Sequence, residues 1–173
     1  MAAKRKQPAS ASVRRTAREV RVQQVTDEDA WEFLHPRCAL DRVDDLDEVQ
    51  QMLSMGETEI AQEELRWLLS DCPDLMAAHQ LLGEMALEAE DYSLARGHFG
   101  HAYRVGLKAL RDAGRPAPLP YGRKANKPFF ESGKGLIFCL KKLDKQAMAV
   151  EVADLLLACD RSDPLGVKEL LTA

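Results

Sequence analysis

A stretch that resembles itself 34 residues later constrains this chain more than any other feature. When residues 42–75 are laid over 76–109, Ala61 falls on Ala95, Leu65 on Phe99 and Gly56 opposite Glu90. Each copy reads as an apolar helix, a short polar turn and a second helix. A third copy occupies 133–164, with Ala149 in the place of Ala95. A unit of this size cannot bury its apolar face alone, so neighbouring units are expected to stack around a shared core. At 173 residues the chain is long enough for one such domain. Aromatics make up only 6% of it, so the core is expected to be mostly Leu, Ala, Val and Met. The fold class read from this pattern is all-α.

The copy at 76–109 carries the sharpest signature. Leu82 and Gly83 form a pair in its first helix, Tyr92 follows the turn, and Ala95, Phe99 and Ala102 line the second helix. Small residues let neighbouring helices approach closely, and Phe99 fills the hole between them. In these residues the chain resembles the tetratricopeptide repeat family. The copy at 42–75 keeps Gly56, Ala61, Leu65 and a closing Pro73, with Val49 and Leu68 at normally small positions. The copy at 130–163 keeps Ala149 and Leu156, with Ala153 instead of the aromatic. Asp45, His79 and Gly133 stand where the family usually has a Trp. The resemblance covers roughly 130 residues. It implies a right-handed α-α superhelix of about three hairpins with a C-terminal capping helix.

What the resemblance implies for function is a non-enzymatic adaptor that holds a peptide or helix along its concave face. Carried over by position, that face comprises Leu46, Gln50, Ala77, Gln80, Glu84, Leu87, Lys134, Phe138 and Lys141. Members that clamp an acidic C-terminal peptide use Lys and Asn at the early positions. Leu46, Gln50, Gln80 and Glu84 stand there in this chain, which argues against that mode.

The remaining segments read as follows. Residues 1–25 carry seven Lys and Arg against Glu19, with few large apolar groups, and are expected to be a disordered basic tail. Residues 26–41 are expected to hold a short leading helix and a turn. Thr26 would cap that helix, acids would favour its positive end, Pro36 would stop it, and Trp31 and Leu34 would be its buried contacts. The repeat domain spans 42–173. The second helix of repeat two is expected to run on to about Asp112. A Pro-rich basic insertion at 110–129 then separates repeats two and three. Pro116, Pro118 and Pro120 favour an extended path there, and Pro128 can open the next helix. Asp163 and Pro164 are expected to start a capping helix at 164–172.

His98 and His101 lie three apart in "ARGHFGHAY", but no carboxylate or thiolate sits one turn away to complete a metal site. Solvated histidines are the expectation there. His79 reads as a packing or hydrogen-bonding residue. His35 and Cys38 in "HPRC" lack a visible acid-base partner, and "SGKG" at 132–135 lies inside a helical pattern with no preceding strand. No catalytic residue, cofactor or metal is expected. Cys38, Cys72, Cys139 and Cys159 are widely spaced and read as small core hydrophobes of a cytoplasmic protein.

Charge is strongly segregated. Residues 41–91 carry fifteen Asp and Glu against Arg42 and Arg66, while 96–145 carry twelve Lys and Arg against three acids. Such polarity steers partners. The expected partner is another protein or peptide, with no membrane span. An alternative is a nucleic-acid-associated adaptor using the basic tail and the insertion, where Arg115, Arg123, Lys124 and Lys127 surround Tyr121. Three repeats are at the lower limit for stacking alone, which leaves room for a homodimer.

Overall fold

The computed structural model describes residues 19–172, so residues 1–18 of the basic tail lie outside the described residues. A two-stranded antiparallel hairpin comes first, β1 (Arg21–Gln24) and β2 (Trp31–Leu34), in the register Val22↔Phe33. Eight helices follow: α1 (Arg37–Leu40), α2 (Val43–Ser54), α3 (Thr58–Asp71), α4 (Met76–Glu88), α5 (Tyr92–Asp112), α6 (Lys127–Lys142), α7 (Gln146–Cys159) and α8 (Val167–Thr172). A 3-10 turn at Lys124–Asn126 leads into α6. The molecule is predominantly helical. Its long helices form three successive hairpins, α2–α3, α4–α5 and α6–α7.

The same backbone device closes all three hairpins. Gly56, Glu90 and Asp144 each adopt positive φ, at 79°, 57° and 56°. In each turn the following amide donates back to the helix it has just left: Glu57 to Met52, Asp91 to Ala86 and Lys145 to Leu140. Those bonds satisfy carbonyls that a helix C-terminus would otherwise leave unpaired. The side-chain register repeats as well. Ala61, Ala95 and Ala149 are fully buried, as are Leu65 and Ala153, with Phe99 only 1% exposed. Phe99 lies between two helices that carry glycine opposite it. A Cβ on Gly83 of α4 would come within 2.6 Å of the Phe99 ring, and one on Gly135 of α6 within 2.5 Å. The ring therefore requires both glycines.

Four expectations from the sequence are corrected. The leading helix at 26–35 is instead the turn and second strand of the hairpin. Alternation decides it: Phe33 is buried on one face while Glu32 and Leu34 lie on the other, and Asp27 takes positive φ in the turn. Trp31 and Leu34 are only half-buried, and Phe33 is the anchor. The stretch assigned to the tail also contributes structure, since Val20 is buried and Arg21–Gln24 form β1. Cys38 and Cys72 are joined in a disulfide with a Cα–Cα distance of 5.8 Å, while Cys139 and Cys159 are buried free thiols. The terminal helix begins at Val167 rather than 164, although Asp163 still accepts from the amides of Val167 and Lys168.

The insertion is built into the fold. Leu119 is fully buried, and its amide donates to the Cys159 carbonyl at the end of α7. Trp31 N–H donates to the Pro118 carbonyl, which lashes the hairpin to the insertion. Asn126 is the hub. Its Oδ1 accepts from Phe33 N–H, and its Nδ2 donates to the carbonyls of Trp31 and Pro120. A buried amide with three such bonds fixes hairpin, insertion and α6 together.

Candidate functional site

The first helices of the hairpins, α2, α4 and α6, supply the walls of a groove of about 560 Å3. Leu46 and Gln50 come from α2, and Ala77 and Gln80 from α4. Leu46 and Gln80 are repeat equivalents, 34 residues apart, which is why both present the same side of their hairpin. Glu84 stands beside them, its Oε1 accepting from Gln80 Nε2 at 3.0 Å. Burial pushes the Glu84 carboxyl above its ordinary value, with Glu131 and Glu88 nearby adding in the same direction.

The other expected groove residues go elsewhere. Phe138 packs near Tyr92, ring centroids 6.2 Å apart, with Lys142 Nζ over both rings. Lys134 is exposed on α6, and Leu87 is half-buried against the larger core. Lys141 donates to the carbonyls of Leu170 and Leu171, holding the end of α8.

The third wall combines the start of α6 with segments outside the hairpins. His35, Tyr121, Lys124, Lys127, Pro128 and Glu131 line it. Tyr121 O–H donates to Glu131 in a short hydrogen bond, and that bond pushes the phenol up to about 12. Lys127 Nζ lies 5.6 Å from the Tyr121 ring centroid. His35 Nε2 bonds the Ala125 carbonyl, and burial lowers its pKa. None of these residues is among the expected groove positions. The only signal in the sequence was the basic and aromatic cluster inside the insertion.

The groove thus pairs an apolar side, where Leu40 is exposed beside Leu46, with hydrogen-bonding groups and two lysines. Such a surface can seat an apolar side chain and bond the backbone around it. The "HPRC" pairing offers no nucleophile, because the Cys38 sulfur is bonded to Cys72. The "SGKG" stretch is helical, and Gly133 lies under Leu156, whose side chain would sit 2.8 Å from an added Cβ.

The histidines form a stacked cluster rather than a solvated face, which corrects the reading of His98 and His101. His79 Nε2 donates to the Pro73 carbonyl at 3.0 Å, leaving Nδ1 bare and 3.3 Å from His98 Nδ1. The His101 ring stacks on His79 with centroids 4.0 Å apart, and its Nε2 bonds Asp74. Burial, reinforced by His101 and His98, pushes His79 down to about 4. Among the described residues, no group of three or more His, Cys, Asp or Glu side chains is placed to hold a metal ion, and no helix is long and apolar enough to cross a membrane.

No protein-family model, curated protein or solved structure matches the chain.

Proposed function

We propose that this chain is a non-enzymatic interaction scaffold of the tetratricopeptide type, taking a peptide or helix into the groove between α2, α4 and α6. The observation that carries this reading is the convergence of Leu46, Gln50, Ala77 and Gln80 with Tyr121, Lys127 and Glu131 around one cleft. The repeated turn at Gly56, Glu90 and Asp144 and the Gly83–Phe99–Gly135 sandwich support the family reading. Protein is favoured over nucleic acid as the ligand because Arg123, a cation of the insertion, is already paired with Glu28 and Glu32.

Selection from a random peptide library against the full chain tests this. Recovered peptides should lose binding when Ala77→Trp fills the cleft and keep it in Lys141→Ala. Peptides indifferent to Ala77→Trp would sink the groove as the site. A cytoplasmic location belongs to the same reading, and the cysteines check it. The cytosol keeps thiols reduced, so alkylation during a denaturing quench of intact cells should label all four. Protection of Cys38 and Cys72 would place the protein in an oxidising compartment.

A further inference from the structure

A second groove, of about 730 Å3, runs between the second helices of hairpins two and three, α5 and α7. Arg96, Arg104 and Arg111 line its α5 wall, and the α7 wall carries Glu151 and Asp154 over an apolar floor that includes Leu136 and Leu155. None of the three arginines is paired with a carboxylate among the described residues. Gly97 lies on this wall in mid-helix, where glycine weakens a helix. No packing contact explains it, since a Cβ there would meet nothing within 4 Å. A bare helix surface of this kind lets another backbone approach closely.

The complementary surface is on the same molecule. Ile60, Glu63, Glu64 and Trp67 recur at the spacing of one helix face on α3. Ile60 and Trp67 are 55% and 54% exposed, which is unusual for side chains of that size. Arg42 lies over Trp67 but is already held by Asp45 and Asp71. The stripe fits within the groove: Ile60 to Trp67 rises about 10 Å along α3, against about 22 Å from Arg96 to Arg111.

We propose that the α5–α7 groove of one copy receives the acidic, tryptophan-bearing face of α3 from a second copy. The arginines meet Glu63 and Glu64, and Ile60 and Trp67 reach the apolar floor beside Gly97. Groove and stripe are different surfaces, so the contact is head to tail and propagates as an open chain. Each assembly keeps one free groove at one end and one free stripe at the other, and it grows with concentration.

Sedimentation of the full chain across micromolar to millimolar concentration tests this. Mean mass should climb past the dimer at low salt and fall back as salt screens the pairs. Arg104→Glu or Trp67→Ala should weaken association about tenfold or more. Gly97→Leu should do the same while leaving the melting temperature undiminished, which separates lost docking from lost folding. The decisive arm mixes Arg104→Glu protein, with an intact stripe, and Trp67→Ala protein, with an intact groove. At a concentration where the parent passes the dimer each alone should stay largely monomeric, and the mixture should stop at a one-to-one dimer. A chain that is monomeric throughout, or a closed dimer indifferent to these substitutions, overturns the proposal.

Discussion

His79 shows how a single position can be read correctly in kind and still miss its surroundings. The sequence marks it as the substitute for a repeat Trp, hence a packing residue. It cannot show that α5 brings His98 and His101 against it, because those contacts span the turn at Glu90. The consequence is a pH dependence of known sign. Unfolded, an imidazole takes up its proton near pH 6.5, whereas folded His79 holds off until about pH 4. Between those values the unfolded chain binds more protons, so stability falls as pH drops through that window and levels off below it. His98, lowered mainly by burial, acts in the same direction, and Asp74 offsets part of the effect. The loss from His79 is expected to be on the order of 1–2 kcal/mol, allowing for a ring that still meets solvent. Urea unfolding at pH 7 and pH 4.5 should show a smaller drop in His79→Gln than in the parent. Equal drops would remove His79 from the account.

Ser132 is a second residue whose role only packing reveals. Its buried Oγ has no hydrogen-bond partner in the described structure. A hydroxyl that has given up water without compensation costs stability, so Ser132→Ala is expected to raise it by about 1 kcal/mol. A melting curve that moves downward would mean the hydroxyl is satisfied in solution.

At the scale of elements, the helices were legible and the hairpin was not. Ala61, Ala95 and Ala149 announce three tightly packed helices because a helix seam admits only small residues at its closest point. "TDEDAWEFL" misleads because a polar capping residue followed by acids marks a helix start and equally a turn. The choice falls to Asn126, ninety residues away, whose amide supplies the partners that hold Phe33 in a strand. The insertion was ambiguous for the same reason, its order being set by the Cys159 carbonyl and the Asp160 carboxylate. Of the groove, Leu46, Gln50, Ala77 and Gln80 were expected only because the family resemblance carries them over by position, and it offers no register for Tyr121 or Lys127. The turns carry a prediction at this scale. Glu90 and Asp144 hold a left-handed conformation that glycine adopts freely, as Gly56 does in the first hairpin. Glu90→Gly and Asp144→Gly are each expected to stabilise by roughly 0.5–1 kcal/mol. Destabilisation of both by thermal melting would show that these side chains contribute more than their backbone strain costs.

Across the whole molecule, the core is divided, and α4 is shared between its parts. Ala78, Leu81, Leu82 and Met85 pack with α2 and α3, whereas Met76 and Ala86 belong to the larger cluster of α5, α6 and α7. The smaller cluster holds no Phe, and the glycine-seated rings of Phe99 and Phe129 both lie in the larger one. The Cys38–Cys72 bond spans 34 residues and encloses the first hairpin, the part with the thinner core. Closing a loop of that length restricts the unfolded chain and is worth about 3–4 kcal/mol. Because the loop contains the end of α1, α2 and α3 and no part of α5, α6 or α7, that stabilisation should act on their opening and not on the larger cluster. Hydrogen exchange of the oxidised and reduced protein separates the two. Reduction should lower protection of α2 and α3 amides by roughly two orders of magnitude or more, while the most protected amides of α5 and α6 keep their rates. Equal losses in all four helices would mean that the chain opens as one unit and that α4 couples the two clusters too strongly for either to yield first.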